Sequence, residues 1–261
     1  LPEVSVWTRL DIQRNVIAAL MIRYLMARYG RGNLGFLWVV VEPIFLVGGI
    51  IAVWSLLYPG TKHGLNLASF VLASYIPLTL WRHLSSSANF MSANAGLLYH
   101  RRITVHDILI ARALTEIAAV SAAAVLVYLV LLSVGVVQLV EDPSMILLGW
   151  LAMCAFGFSA GHLIAGLSEK SEAVVHLIQP AQYLLLPLSG VFYMVSWLPK
   201  GAQEYALLVP QVHIFEMIRS GMFGDAVETH YSVWYIAIWS TVQMALGFWA
   251  VDSSRKRLKT R

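Results

Sequence analysis

Residues 108–137 read ILIARALTEIAAVSAAAVLVYLVLLSVGVV, an apolar run longer than the roughly 20 residues a helix needs to cross a hydrocarbon core. Five further apolar runs, at 34–58, 67–90, 145–167, 174–194 and 231–251, are each long enough to span. The 261-residue chain is 59% hydrophobic and only 12% charged, whereas soluble domains carry about 25% charged residues. A soluble globular domain is thereby excluded, and six crossings leave little chain for one. The expected fold is an all-α integral membrane domain over 1–261, with spans one to five in 34–195 and the sixth at 231–251.

Two of the runs carry internal detail. The second turns polar in its latter half, through Trp81, Arg82 and His83 to Ser85, Ser86, Ser87 and Asn89, groups that must face protein or water rather than lipid. The fourth is punctuated at its start by Asp142, a helix-capping residue, and Pro143, which suits a first helical position.

Residues 1–33 are amphipathic and basic. Val16, Ile17, Leu20, Met21, Tyr24 and Leu25 recur at helical spacing between Arg14, Arg23 and Arg28, which reads as a helix lying in the membrane interface. No apolar core followed by small residues suggests a cleavable signal. The connection 196–230 holds two short helix-like stretches, 203–209 and 213–222, separated by Pro210. Ile214, Phe215, Met217 and Ile218 give the second an apolar face, and Gly221 and Gly224 supply a stop. It reads as an external re-entrant or interfacial hairpin before the last span, with an ordinary solvated loop as the plainer alternative.

Charge sets the orientation. Arg9, Arg14, Arg23, Arg28 and Arg31 precede the first span, Arg101, Arg102 and Arg112 mark the second connection, and Arg255, Lys256, Arg257, Lys259 and Arg261 fill the tail 252–261. The positive-inside rule places all of them, and both termini, in the cytoplasm. The net charge of +4 then reports topology and anionic headgroups, and no nucleic acid is expected as a partner.

The motifs of common catalysis are missing: no H-E-x-x-H, G-x-S-x-G, P-loop or G-x-G-x-x-G is present. The one cysteine, Cys154, lies in an apolar run, and the eight histidines show no metal-ligand spacing. His162 and His176, inside spans, read as hydrogen-bonded between helices. An enzyme on its own, a metal site and a bound cofactor are therefore not expected. The cytoplasmic connection, NAGLLYHRRITVHD at 94–107, is built like a docking element. Asn94, Gly96, Tyr99, His100, Arg101 and Arg102 suit a short surface helix, and Thr104-x-x-Asp107 resembles a capping box; a plain positive-inside loop is the alternative.

Three patterns carry a family resemblance over nearly the whole chain: Arg28-Tyr-Gly-Arg-Gly-Asn-Leu-Gly-Phe-Leu-Trp38 leading into Glu42-Pro43; Ala95-Gly-Leu-Leu-Tyr-His-Arg-Arg followed by Ile110-Ala-Arg-Ala-Leu-Thr-Glu116; and Leu198-Pro-Lys with Val209-Pro-Gln-Val-His213. With these the chain resembles the transmembrane subunit of bacterial ABC-2 type exporters, and among them the Gram-negative inner-membrane permeases for lipid-linked capsular polysaccharide. The resemblance implies a homodimer above two copies of a separate ATPase subunit, which would use the ATP and Mg. The 93–107 connection would be the coupling helix seated in that ATPase, with 168–172 a smaller second contact. Periplasmic and outer-membrane export proteins are implied as further partners. Exporters of O-antigen, teichoic acid or lipids and amphiphiles share the architecture.

A lipid-linked acidic polysaccharide needs a wide, wet, weakly gripping path. Trp81, Arg82, His83, Ser86 and Asn89 are candidates for the canal, with Gln179, Gln182 and Tyr183, beside Pro180, on another wall. Against this, Arg82 could snorkel or pair with Glu42 or Glu116, and the glutamines could bond between helices. Arg28, Arg31 and Trp38 stand where a lipid phosphate would enter, although ordinary anchoring also explains such arginines. A secondary transporter would need an intramembrane ion site and a repeat of topology, and the sequence offers neither an acid cluster nor self-similarity.

Overall fold

The computed structural model describes residues 6–29, 35–57, 61–62, 64–98 and 103–258. The chain runs through α1 (Val6–Tyr29), α2 (Gly35–Leu57), a two-stranded antiparallel ribbon of β1 (Thr61–Lys62) and β2 (Leu65–Asn66), and α3 (Leu67–Ser85). Two short helices, α4 (Phe90–Ala93) and α5 (Ala95–Leu98), precede the long α6 (Val105–Ser133), α7 (Pro143–Ser168) and α8 (Glu172–Leu188). After a 3-10 turn at Val195–Trp197 come α9 (Lys200–Ala206), α10 (Pro210–Phe223) and α11 (Val233–Leu258).

The helix starts follow from local chemistry. Asp142 accepts from the N–H groups of Ser144 (2.9 Å) and Met145 (3.2 Å) and caps α7, with Pro143 as its first residue. The bond from the Ser144 hydroxyl, then those from the backbone, hold the Asp142 carboxyl below the usual carboxylate range. At α6 the capping box is complete, Asp107 N–H donating to Thr104 Oγ1 and Thr104 N–H to Asp107 Oδ2.

Among the described residues three helices are long and apolar enough to cross a membrane: Val105–Ser133, Pro143–Ser168 and Val233–Ser254. Helix α3 differs because it is central. Fifteen of its nineteen residues are buried, against α2, α6, α7 and α10, so serines are accommodated where lipid would reject them. Phe70, Leu80 and Leu84 of α3 meet Met153 of α7 and Phe215 and Met217 of α10 in the main core.

Several boundaries depart from the sequence reading. Helix α3 stops at Ser85, so Ser86 and Asn89 are not on the helix that carries Trp81. Helix α8 stops at Leu188, and Gly190, at φ 85°, turns the chain away well before residue 194. Pro210 starts α10 rather than separating two helices, since its missing N–H costs nothing in a first turn. Gly224, at φ 54°, ends α10, but Gly221 lies inside it as a contact: a Cβ there would stand 2.7 Å from the Ile146 backbone nitrogen of α7. The apolar stripe of α1 is also not simply laid on lipid. Val16, Ile17, Leu20 and Met21 pack on Ile108 and Ala111 of α6.

The hairpin region is not a surface loop. Twelve of the fourteen residues of α10 are buried, including two opposite charges. Arg219 is fully buried and donates to the carbonyls of Gly190 (2.8 Å), Val191 (3.0 Å) and Tyr193 (2.6 Å) and to Ser74 Oγ (2.8 Å). Glu216, 3.7 Å from Arg219, accepts from Val195 N–H and His230 N–H. Each charge is thus matched by its partner and by backbone dipoles, the condition under which burial is tolerated.

Candidate functional site

The C-terminal end of α3 faces a cavity of about 430 Å³. Its walls come from five elements: Thr79, Arg82 and His83 of α3 with Ser86 just beyond it, Tyr24 of α1, Phe90 of α4, Arg112 and Glu116 of α6, and Gln179 and Gln182 of α8. Most of this lining is polar or ionisable, in a chain where such residues are scarce.

The cavity is framed by satisfied charges. Glu116, whose side chain is 2% exposed, accepts from His83 Nδ1 (2.9 Å) through one oxygen and from the Tyr24 hydroxyl (2.9 Å) through the other. Arg112 reaches from α6 to the end of α3 and donates to the carbonyls of His83 (2.6 Å), Leu84 (3.4 Å) and Ser86, and to Ser87 Oγ. The last carbonyls of a helix lack partners within it, and a cation there also meets the negative end of the helix dipole. Arg112 therefore caps α3, and its guanidinium also lies 5.2 Å from the Phe90 ring centroid.

Arg82 is exposed, its guanidinium carbon 5.9 Å from the centroid of Tyr183 of α8. One acid considered as its partner, Glu116, is engaged by His83 and Tyr24 instead; the side chain of the other, Glu42, lies outside the described residues. Gln182 Nε2 donates to Ser85 Oγ at 2.9 Å, which fastens α8 to the end of α3. Together the structure gathers Arg82, His83, Ser86, Gln179 and Gln182 around one cavity, with Tyr183 beside it.

Two expected members are placed differently. Trp81 is 6% exposed and packs in the core, yet it also lines a smaller pocket with Arg82, Gln179, Gln182 and Tyr183; its indole N–H has no hydrogen-bond partner among the described residues. Asn89 holds a left-handed conformation, φ 54°, at the start of α4, and its N–H donates to Ser168 Oγ at 3.0 Å. Asn94 follows α4 as its C-terminal cap and Gly96 lies on α5, within the expected surface helix; Asn94 Nδ2 donates to Phe90 O at 2.9 Å. Tyr99, His100, Arg101, Arg102 and Arg31 lie outside the described residues, as do the side chains of Arg28 and Trp38. Among the described residues His162 makes no hydrogen bond between helices: its Nδ1 meets Phe158 O of its own helix at 3.2 Å, and its ring stacks 5.8 Å from His106.

Sequence reasoning overlooked Tyr24, Thr79, Phe90 and Arg112 as cavity residues, and placed Glu116 only as a possible ion-pair partner. The signal was there for two of them. Arg112 and Glu116 are ionisable residues in a helix apolar enough to span, a position such groups occupy when they face protein or water.

A polar cavity between helices apolar enough to cross a membrane is an arrangement that transport proteins use. The chain belongs to the ABC-2 type transporter family, which matches residues 15–223. It is similar to the capsule polysaccharide export inner-membrane protein CtrC of Neisseria meningitidis serogroup B, 37% identical over 98% of this chain and 97% of that protein. The capsule polysaccharide export inner-membrane protein BexB of Haemophilus influenzae is 35% identical over 96% and 95% of the two chains. The polysialic acid transport protein KpsM of Escherichia coli is 24% identical over 91% and 92%.

Proposed function

We propose that this chain is the membrane-spanning subunit of an ATP-driven transporter that exports lipid-linked capsular polysaccharide across the bacterial inner membrane. The observation that carries the reading is the near full-length kinship to CtrC and BexB, proteins named for capsule polysaccharide export. The polar cavity at the end of α3 supports it, because a hydrophilic, acidic glycan needs hydrogen-bonding groups where a lipid-facing helix would offer none.

In this reading α2, α3, α6, α7, α8 and α11 are the six crossings, α1 lies at the cytoplasmic interface, and α9–α10 form the re-entrant external hairpin, with both termini in the cytoplasm. Two copies of the chain enclose a canal, and Arg82, His83, Ser86, Gln179 and Gln182 face it. Arg28, Arg31 and Trp38 receive the lipid phosphate from the inner leaflet. The segment from α4 to residue 102 docks into a separate ATPase subunit, two copies of which hydrolyse the ATP. Periplasmic and outer-membrane export proteins receive the glycan beyond.

The experiment is deletion of the gene in its host, followed by lipid extraction and surface labelling of acidic glycan. Accumulation of lipid-linked polymer inside, with surface glycan restored by a wild-type copy, is the expected result. Unchanged surface glycan would overturn the cargo assignment, and accumulation of O-antigen or another lipid-linked glycan would reassign it.

A further inference from the structure

The chain does not pass helically from α3 into α4. Residues 86–89 turn, Asn89 takes a left-handed conformation, and α4 is held from elsewhere, by the far end of α7. Asn89 N–H donates to Ser168 Oγ (3.0 Å), Ser92 N–H donates to Glu169 Oε1 (2.8 Å), and the Ser92 hydroxyl donates to Glu169 Oε2. Both oxygens of the Glu169 carboxylate are therefore engaged by one residue of α4. Ser168 is buried, and Glu169 is the residue that ends α7.

The two helices on either side of this junction differ in how firmly they are held. Helices α7 and α11 form a tight pair: Ser254 Oγ donates to Gly166 O at 2.7 Å, and Lys170, in the turn, lies 4.0 Å from the Trp249 ring centroid of α11. Helix α8 starts at Glu172, only three residues after Glu169, and none of its residues is buried. Pro180 and Pro187 interrupt its hydrogen-bond ladder, and it presents Gln179 and Gln182 to the cavity. A displacement of α4 thus has a short polar route to the α8 wall of the cavity, through Glu169 and the 168–172 turn. The covalent route through 86–89 ends instead at α3, fifteen of whose nineteen residues are buried.

We propose that Glu169 is a positioning residue that transmits movement of the α4–α5 docking segment to α8, and so to the cavity wall, during each ATP cycle. The proposal rests on the export reading above and goes beyond it in assigning the residue and the route. Glu169 touches neither cargo nor nucleotide; it makes α4 and the α7–α8 turn move as one unit.

The test uses the full complex with its ATPase subunit, reading copurification, ATP hydrolysis and glycan exported per ATP hydrolysed. Glu169→Ala is expected to lower export per ATP hydrolysed several-fold, by more than it lowers copurification or hydrolysis. Glu169→Asp, which keeps the charge, recovers part of it. Ser92→Ala lowers export per ATP less, and adding it to Glu169→Ala causes no further loss, as expected for two halves of one contact. The pair Ser92→Cys with Glu169→Cys is expected to be uncoupled when reduced and recoupled when a mild oxidant joins the two thiols. Unchanged export per ATP in Glu169→Ala overturns the proposal. So does loss of ATPase copurification in step with export, which would make Glu169 a docking contact, or a cross-linked pair that stays uncoupled. A parent complex that exports no glycan overturns the export reading itself, a result separable from failure confined to the Glu169 variants.

Discussion

His83 Nδ1 and Glu116 Oε2 lie 2.9 Å apart across the gap between α3 and α6, and the second oxygen of Glu116 is taken by Tyr24 of α1. One carboxylate thereby joins three helices at the rim of the cavity. Glu116→Ala leaves the imidazole and the phenol without their acceptor, and a loss of about 1–3 kcal/mol in stability is expected. Thermal unfolding of the detergent-solubilised protein checks it. Glu116→Gln, which still accepts, should lose less, and equal losses for the two variants would show that the bonds are not the source.

Arg112 serves the carbonyls at the end of α3 with a forked set of donors. A lysine ammonium cannot reproduce that fork. Arg112→Lys and Arg112→Ala are both expected to destabilise, by about 1.5–3 kcal/mol for bonds to a charged group, with the alanine variant the worse. Wild-type unfolding behaviour in Arg112→Lys would mean that a positive charge near the interface is all the position requires.

Arg219 and Glu216 are each 0% exposed and 3.7 Å apart. Removing one member leaves the other buried and unmatched, so Arg219→Leu or Glu216→Leu alone should cost about 3–5 kcal/mol. The double variant should cost less than the sum, since neither charge is then stranded. Additive losses in a double-mutant cycle would show that the pair does not act as one.

His213 bridges two loops: its Nε2 donates to Leu207 O (2.8 Å) and its Nδ1 accepts from Ser232 N–H (3.1 Å), an arrangement only the neutral ring can make. Burial pushes its pKa below the ordinary 6.5, against a smaller opposing effect of the Leu207 bond. Because the folded state binds this proton less readily than the unfolded chain, its contribution is present above about pH 6.5 and is lost as pH falls below that value. Stability measured at pH 5 and at pH 7.5 should therefore differ more in the parent than in His213→Gln, and equal differences would refute the assignment.

Among the described residues Arg82 is the exposed cation at the cavity, against Tyr183. Arg82→Ala is expected to reduce glycan export several-fold with ATPase pairing intact, and Arg82→Lys to retain most of it. Surface labelling of the complemented deletion strain reads both, and normal export in Arg82→Ala would remove the residue from the cargo path.

Much of the bundle was legible before any coordinates. The runs containing α6, α7 and α11 stood out because length and hydropathy are local properties, and the Asp142-Pro143 and Thr104-x-x-Asp107 signals marked helix starts because caps act within three residues. Arg82, His83, Ser86, Gln179 and Gln182, which line one cavity, stood out for the same reason, as polar groups in apolar runs. Helix ends were read less well: Ser85 and Leu188 close their helices where partners from other elements take over, at Arg112 and at the buried turn around Gly190.

The sequence by itself determined that the chain is a helical membrane protein, because partition between lipid and water depends on residue type summed along a segment. Tertiary structure alone decided which charges matter to the fold. Arg112 looked like one more positive-inside residue and is a helix cap; Arg219, in the connection read as an external hairpin, is fully buried on Ser74 and three carbonyls. Glu169, in the turn expected to be a smaller ATPase contact, holds Ser92, 77 positions earlier. A buried charge is stable only where donors and acceptors from distant segments converge on it, and that convergence is set by packing, which no local pattern records.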